Sequence, residues 1–172
     1  MIVEMTPDVI TADYVGRPGR RAFYLQGRKG EETCTLLLEK EQVAVLADRL
    51  RELLLMVDAS DTIAKATPAR DPALSLAEPV EPDARAASIG IAFLEEEERV
   101  LIAVEAAGTG DEEEGVEPDE YRFLVRRDQV RALLLHALAS VGEGREICQL
   151  CGLPMDPEGH HCPASNGHRP AG

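Results

Sequence analysis

The chain has 172 residues, 44% of them hydrophobic and 3% aromatic, with no tryptophan, and its 32 acids against 18 bases leave a net charge of −14 at pH 7. That length supplies one proper core. The charge repels phosphate backbones and the shortage of aromatics leaves no stacking platform for bases, which argues against nucleic-acid binding by the body of the protein. The charge is uneven: residues 1–60 carry 10 acids and 8 bases, 61–147 carry 20 and 9, and the rest 2 and 1.

No basic and apolar leader opens "MIVEMTPDVI", and runs such as "LLLMV" are far too short to span a bilayer. The expectation is a cytoplasmic protein without membrane contact, in a compartment where clustered cysteines hold metal or do redox chemistry rather than form disulfides.

In chain order, residues 8–15, 21–26 and 32–38 read as strands, with turns at "GRPGR" and "GRKGE". A helix follows, with Val43, Leu46, Ala47, Leu50 and Leu54 at helical spacing. Residues 59–83, rich in Ala, Pro, Asp and Ser and without a sustained period, read as a flexible connector. Strands are expected again at 84–94, 99–106 and 120–126, joined by "EEEE" and by a longer acidic loop. A second helix then carries Val130, Leu133, Leu134, Ala137 and Val141.

A constant offset of 87 superimposes the two halves, so that Leu37, Gln42, Val43 and Leu46 fall on Leu124, Gln129, Val130 and Leu133. Glu41 and Asp128 then both sit where a helix N-terminus favours an acid. The reading is α+β: two β-β-β-α repeats, 1–58 and 84–144, related by a pseudo-twofold, with antiparallel sheet(s) and two packed helices. Residues 145–172 form a separate tail.

That tail reads "CQLCGLPMDPEGHHCPASNGH". Cys148 and Cys151 make a C-x-x-C knuckle followed by Gly152, and "DPEG" fits a type I turn that returns "HHC" across it. Three thiolates and an imidazole suit tetrahedral Zn2+, with Cys148, Cys151 and Cys162 as three ligands. The fourth is His160, two residues from Cys162 and on its face in extended chain, or His168, which the "NG" turn could fold back. Spacing alone leaves the two open.

The tail, together with "LEKEQV" and "RRDQVRAL", resembles a bacterial family classified only as a domain of unknown function, which ends in C-x-x-C-G-x-P-x-D-P-x-G-H-x-C-P-R-x-N-G. The resemblance covers most of the chain outside the connector. It implies zinc on Cys148, Cys151, His160 and Cys162, and it departs at Ala164, where the pattern carries arginine. It also implies a link to a neighbouring phosphatase-like or lipid-kinase-like protein, and no activity.

Enzyme motifs are mostly absent: there is no G-x-S-x-G elbow, H-E-x-x-H helix, phosphate loop or dinucleotide fingerprint. The pattern points to a non-enzymatic protein-binding or adaptor module in which zinc shapes the tail. Two rival readings are a zinc-dependent hydrolase, with water in the fourth position, and nucleic-acid contact through the tail, for which Arg169 alone is thin support. Cys34 alternates with Leu36 and Leu38 as a small buried residue, and His136 on the flank of the second helix reads as structural. The clusters "GRPGRR" and "GRK" lie roughly 20 Å apart at opposite ends of one strand, so they do not make one patch. The "EEEE" and "DEEE" runs read as solvated turns.

Overall fold

Alternating apolar residues build seven strands into one mixed sheet, and two amphipathic stripes build the helices packed with it. The computed structural model describes residues 1–17, 19–108, 114–143, 146–147, 150 and 154–155. The elements are β1 (Ile2–Met5), β2 (Val9–Val15), β3 (Ala22–Lys29), β4 (Glu32–Leu38), α1 (Lys40–Val57), β5 (Ala84–Leu94), β6 (Arg99–Ala106), β7 (Glu120–Arg126), α2 (Arg127–Gly142), β8 (Glu146–Ile147) and β9 (Pro154–Met155). The sheet order is β1-β7-β6-β5-β4-β3-β2, with β8 and β9 paired to each other.

The fold is therefore α+β, with the six expected strands and both helices in place. Two features correct the sequence reading. The sheet is mixed rather than antiparallel, because β1 runs parallel to β7 and β4 parallel to β5. A seventh strand, β1, has no counterpart in the expected list; only four residues long, its apolar alternation is too short to stand out from a loop.

Each half contains an antiparallel meander, β2-β3-β4 or β5-β6-β7; the meanders pair with each other at Leu36↔Ala84 and Leu37↔Arg85, and β1, ahead of the first, pairs with β7 of the second. The inner faces meet across the molecule. Gly27 on β3 leaves room for the Phe123 ring of β7: a Cβ there would lie 2.7 Å from a ring carbon. The sheet must curl for this to happen, because β3 and β7 are not neighbours in it. Thr6, Pro7 and Asp8 alone carry the chain from β1 at one edge to β2 at the other, a span that about 3.3–3.6 Å per residue keeps short.

The core fills the curl. Ile10, Ala12, Leu25, Leu36, Val100, Ile102, Val104, Phe123 and Val125 are buried, as are all five expected stripe residues of α1. On α2, Val130, Leu133, Leu134 and Ala137 are buried, Val141 is half-buried, and Gln129, His136 and Ser140 join the buried set as polar members.

The repeated glutamine has a shared job. Gln42 Oε1 accepts from the Glu39 N–H at 2.8 Å, and Nε2 donates to the carbonyls of Ala86 and Ala87 at 3.3 and 3.4 Å. Gln129 Oε1 accepts from the Arg126 N–H at 3.0 Å, and Nε2 donates to Pro7 and Asp8, both at 3.0 Å. Each side chain satisfies an orphan donor at a helix start and pins the corner where the other half begins.

Residues 59–83, expected to be a flexible connector, are packed. They include 3₁₀ turns at Thr62–Lys65 and Pro72–Leu74, and Asp61, Ile63 and Leu74 are buried. Gln26 reads the main chain of Ala77 on both sides, accepting its N–H at 2.8 Å and donating to its carbonyl at 3.3 Å. Thr35 and Asp83 exchange two bonds, at 2.7 and 2.8 Å, and Thr11 Oγ1 donates to the Leu74 carbonyl. Arg131 grips Asp61 through Nε at 3.0 Å and Nη2 at 2.6 Å. The contacts run mostly through main-chain groups and single polar side chains, which leave no periodicity to read.

Candidate functional site

The densest cluster of chemical groups lies where β2, the connector and the end of α2 meet. Alternation on β2 turns Asp13 away from Ala12 and the apolar interior, and the α2 periodicity stacks His136 and Ser140 one turn apart. His136 is 1% exposed. Its Nδ1 accepts the Asp71 N–H at 2.9 Å, which fixes the proton on Nε2, and Nε2 donates to Asp13 Oδ2 at 2.8 Å. Asp13 Oδ1 takes the Tyr14 N–H at 2.8 Å and the Ser140 hydroxyl at 3.2 Å. Arg70, from the connector, bridges Asp13 Oδ2 at 2.7 Å and Glu143 Oε2 at 2.8 Å. Glu143 also accepts the Tyr14 hydroxyl, and Arg21 donates to its carbonyl while its guanidinium stacks over the Tyr14 ring at 4.2 Å.

The electrostatics follow from these partners. Burial works to raise the Asp13 carboxyl, but the His136 and Tyr14 bonds and the Arg70 charge outweigh it and hold the group below its ordinary value. Glu143 behaves alike: burial raises it, and the Tyr14 and Arg70 bonds bring it down. The Tyr14 phenol is raised, first by its bond to Glu143. At Asp61 the Arg131 bond dominates and lowers the carboxyl.

An Asp, a His and a Ser within bonding distance invite comparison with a catalytic triad, and the connectivity rules it out. Ser140 donates to the aspartate, not to the histidine, so no base activates it. Both His136 nitrogens are committed, and the side chains of Asp13 and His136 are 3% and 1% exposed. The arrangement holds three elements together.

Sequence reading identified His136 as structural, in keeping with these bonds, but missed Asp13, Tyr14, Arg70 and Glu143. No spacing rule links positions so far apart. Cys34 is buried, and desolvation, helped by Asp83, pushes its thiol up to about 12, so it stays protonated and inert at neutral pH. Among the described residues no group of three or more His, Cys, Asp or Glu could hold a metal ion.

The expected ligands Cys148, Cys151, His160 and Cys162, and the alternative His168, lie outside the described residues. What is described is the pair of strands around the first two. β8 and β9 run antiparallel with Glu146↔Met155 and Ile147↔Pro154, and the residues between them in sequence, 148–153, contain the whole C-x-x-C-G sequence.

A family described as protein of unknown function, DUF3090, matches residues 4–162. The chain belongs to that family. The match takes in both meanders, both helices, the connector and the tail as far as Cys162, and stops short of His168. No curated protein and no solved structure matches the chain. No helix among the described residues is long and apolar enough to cross a membrane.

Proposed function

We propose that this DUF3090 protein is a non-enzymatic protein-binding module of the cytoplasm whose tail is shaped by one structural Zn2+ on Cys148, Cys151, His160 and Cys162. The observation that carries the reading is the β8–β9 pairing. A zinc knuckle needs a tight hairpin with its two cysteines in the loop, and this hairpin brackets Cys148 and Cys151. The family match supports His160 over His168, because it includes the first and ends before the second. The inert Asp13–His136–Ser140 connectivity supports a binding role over catalysis, and four protein ligands leave no position for an attacking water.

We also propose that the two β-β-β-α units are related by a pseudo-twofold. Support comes from the paired registers Leu36↔Ala84 and Met5↔Phe123, where Leu36 and Phe123 are 87 apart, and from the matching corner bonds of Gln42 and Gln129.

Elemental analysis of protein purified under reducing conditions tests the metal. The expected result is one zinc per chain in wild type and in His168→Ala, and its loss in Cys151→Ser and His160→Ala. Full occupancy in His160→Ala with loss in His168→Ala moves the fourth ligand, and no zinc in wild type sinks the site. Zinc-dependent turnover of test esters or phosphates would replace the binding module by a hydrolase.

A further inference from the structure

The two meanders differ at their outer edges. α2 packs closely against β2 and is tied to it through Asp13. Beside β5, α1 packs more lightly, with Gln42 donating to the Ala86 and Ala87 carbonyls. β5 pairs with β4 only at Ala84 and Arg85, and among the described residues no strand pairs with residues 88–94 on the side away from β6. The sequence there, "SIGIAFL", has no charge and no proline, the usual guards of a strand edge.

Beside this edge, between β5 and α1, runs a groove of ≈ 260 Å³. Leu46, Ile89 and Ile91 line it together with Val45, which is 47% exposed, and Glu41 and Arg49, both exposed, are the first and last α1 residues of the lining. Pockets for drug-sized ligands run to about 300–1,000 Å³, so this one is scaled to an apolar side chain or two. In an antiparallel strand, alternate residues aim their N–H and C=O groups away from the paired neighbour, and the partner that satisfies such a row is another main chain.

We infer that this groove receives an extended peptide segment of a partner protein, which adds to that edge of β5 as a strand and seats an apolar side chain between β5 and α1. The charges fix the kind of segment. Glu41 and Arg49 are eight residues apart on one helix, about 12 Å at 1.5 Å per residue. That is the span of roughly four extended residues, so the apolar anchor lies between a basic and an acidic residue of the peptide. Gly90 and Ala92 present no bulk beside the approaching chain. None of these residues belongs to the zinc-ligand set, so the surface stands or falls apart from the metal.

Panning a random decapeptide library displayed on phage against the full-length protein tests the inference. The expected result is enrichment of peptides with an apolar residue between opposite charges. Their affinity, measured by fluorescence anisotropy, falls at least tenfold in Val45→Glu and in Arg49→Glu. It stays unchanged in Met56→Glu, whose site on the same helix is 86% exposed and away from the groove lining. Amides within 88–94 gain hydrogen-exchange protection in the complex. A library that yields no binder overturns the inference, as do peptides that bind both groove variants as wild type or lose affinity only in Cys151→Ser. Concentration-dependent self-association that protects the same amides without peptide also overturns it, since the occupant is then a second copy.

Discussion

At Asp13 four donors converge on one carboxylate, and the cost of removing its charge depends on what those donors can find instead. In Asp13→Asn one oxygen becomes an NH2 that faces a donor whichever way the amide turns, the His136 Nε2–H and Arg70 on one side or the Tyr14 N–H on the other, so a buried donor is left unpaired. Arg70, at 37% exposure, keeps Glu143 and water, so the loss falls below that of a fully buried broken ion pair. We expect about 2–3 kcal/mol in urea unfolding, on the scale of an unsatisfied buried group, and less for Glu143→Gln at the half-exposed end. Equal losses in the two variants would show that burial does not grade the network. The repeated glutamines offer a second comparison. Gln129 is 8% exposed and Gln42 more so, so Gln129→Ala should cost about 1–3 kcal/mol and Gln42→Ala the smaller amount, read from the same unfolding curves.

Among the elements, the connector behaves as part of the sheet's surface. The amide protons of Asp71, Ala77 and Asp83 donate to His136, Gln26 and Thr35, and we expect them to exchange slowly, together with those of the strands they touch. Exchange at loop rates would return residues 59–83 to the status of a free linker. The strands and helices were legible because each buries one face, and burial of one face writes a period into the sequence: Ile10 and Ala12 on β2, Val100, Ile102 and Val104 on β6, Val43 to Leu54 on α1. The connector was not, because Ala77 and Leu74 are held by their main chain, which any residue supplies. Nor was the network around Asp13, whose members come from positions 13, 70, 136 and 143 with no local pattern. The tail is the opposite case: metal-ligand spacing is a local code, and the zinc proposal rests on that code together with the two paired strands on either side of Cys148 and Cys151.

For the whole molecule the carboxylates set the acid limit. Asp13, Asp61 and Glu143 all sit below their ordinary values, so the folded state binds fewer protons than the unfolded chain as pH falls through the usual carboxylate range near 4. Their stabilisation is complete above that range and is lost progressively below it. Cys34, Tyr14 and Tyr121, all raised, contribute in the other direction: their share is present below the unfolded values, about 9 for the thiol and about 10 for the phenols, and is lost as pH rises from there through the folded values. Unfolding free energy should therefore be level between these limits and drop at both ends. Asp13→Asn should show a shallower acid limb, and an acid limb as steep as that of wild type would assign it to other groups.

The chain uses its first residues last. β1 pairs with β7, and the corner after it is pinned by Gln129, more than a hundred residues downstream. During synthesis at about 5–20 residues per second, Ile2–Met5 would leave the ribosome roughly 6–25 s before their partner exists. Throughout that interval an apolar strand and the unclosed edge of β2 stand open to any neighbouring chain. The nascent protein is most vulnerable to mispairing at β1 and β2, and release of that vulnerability coincides with emergence of α2.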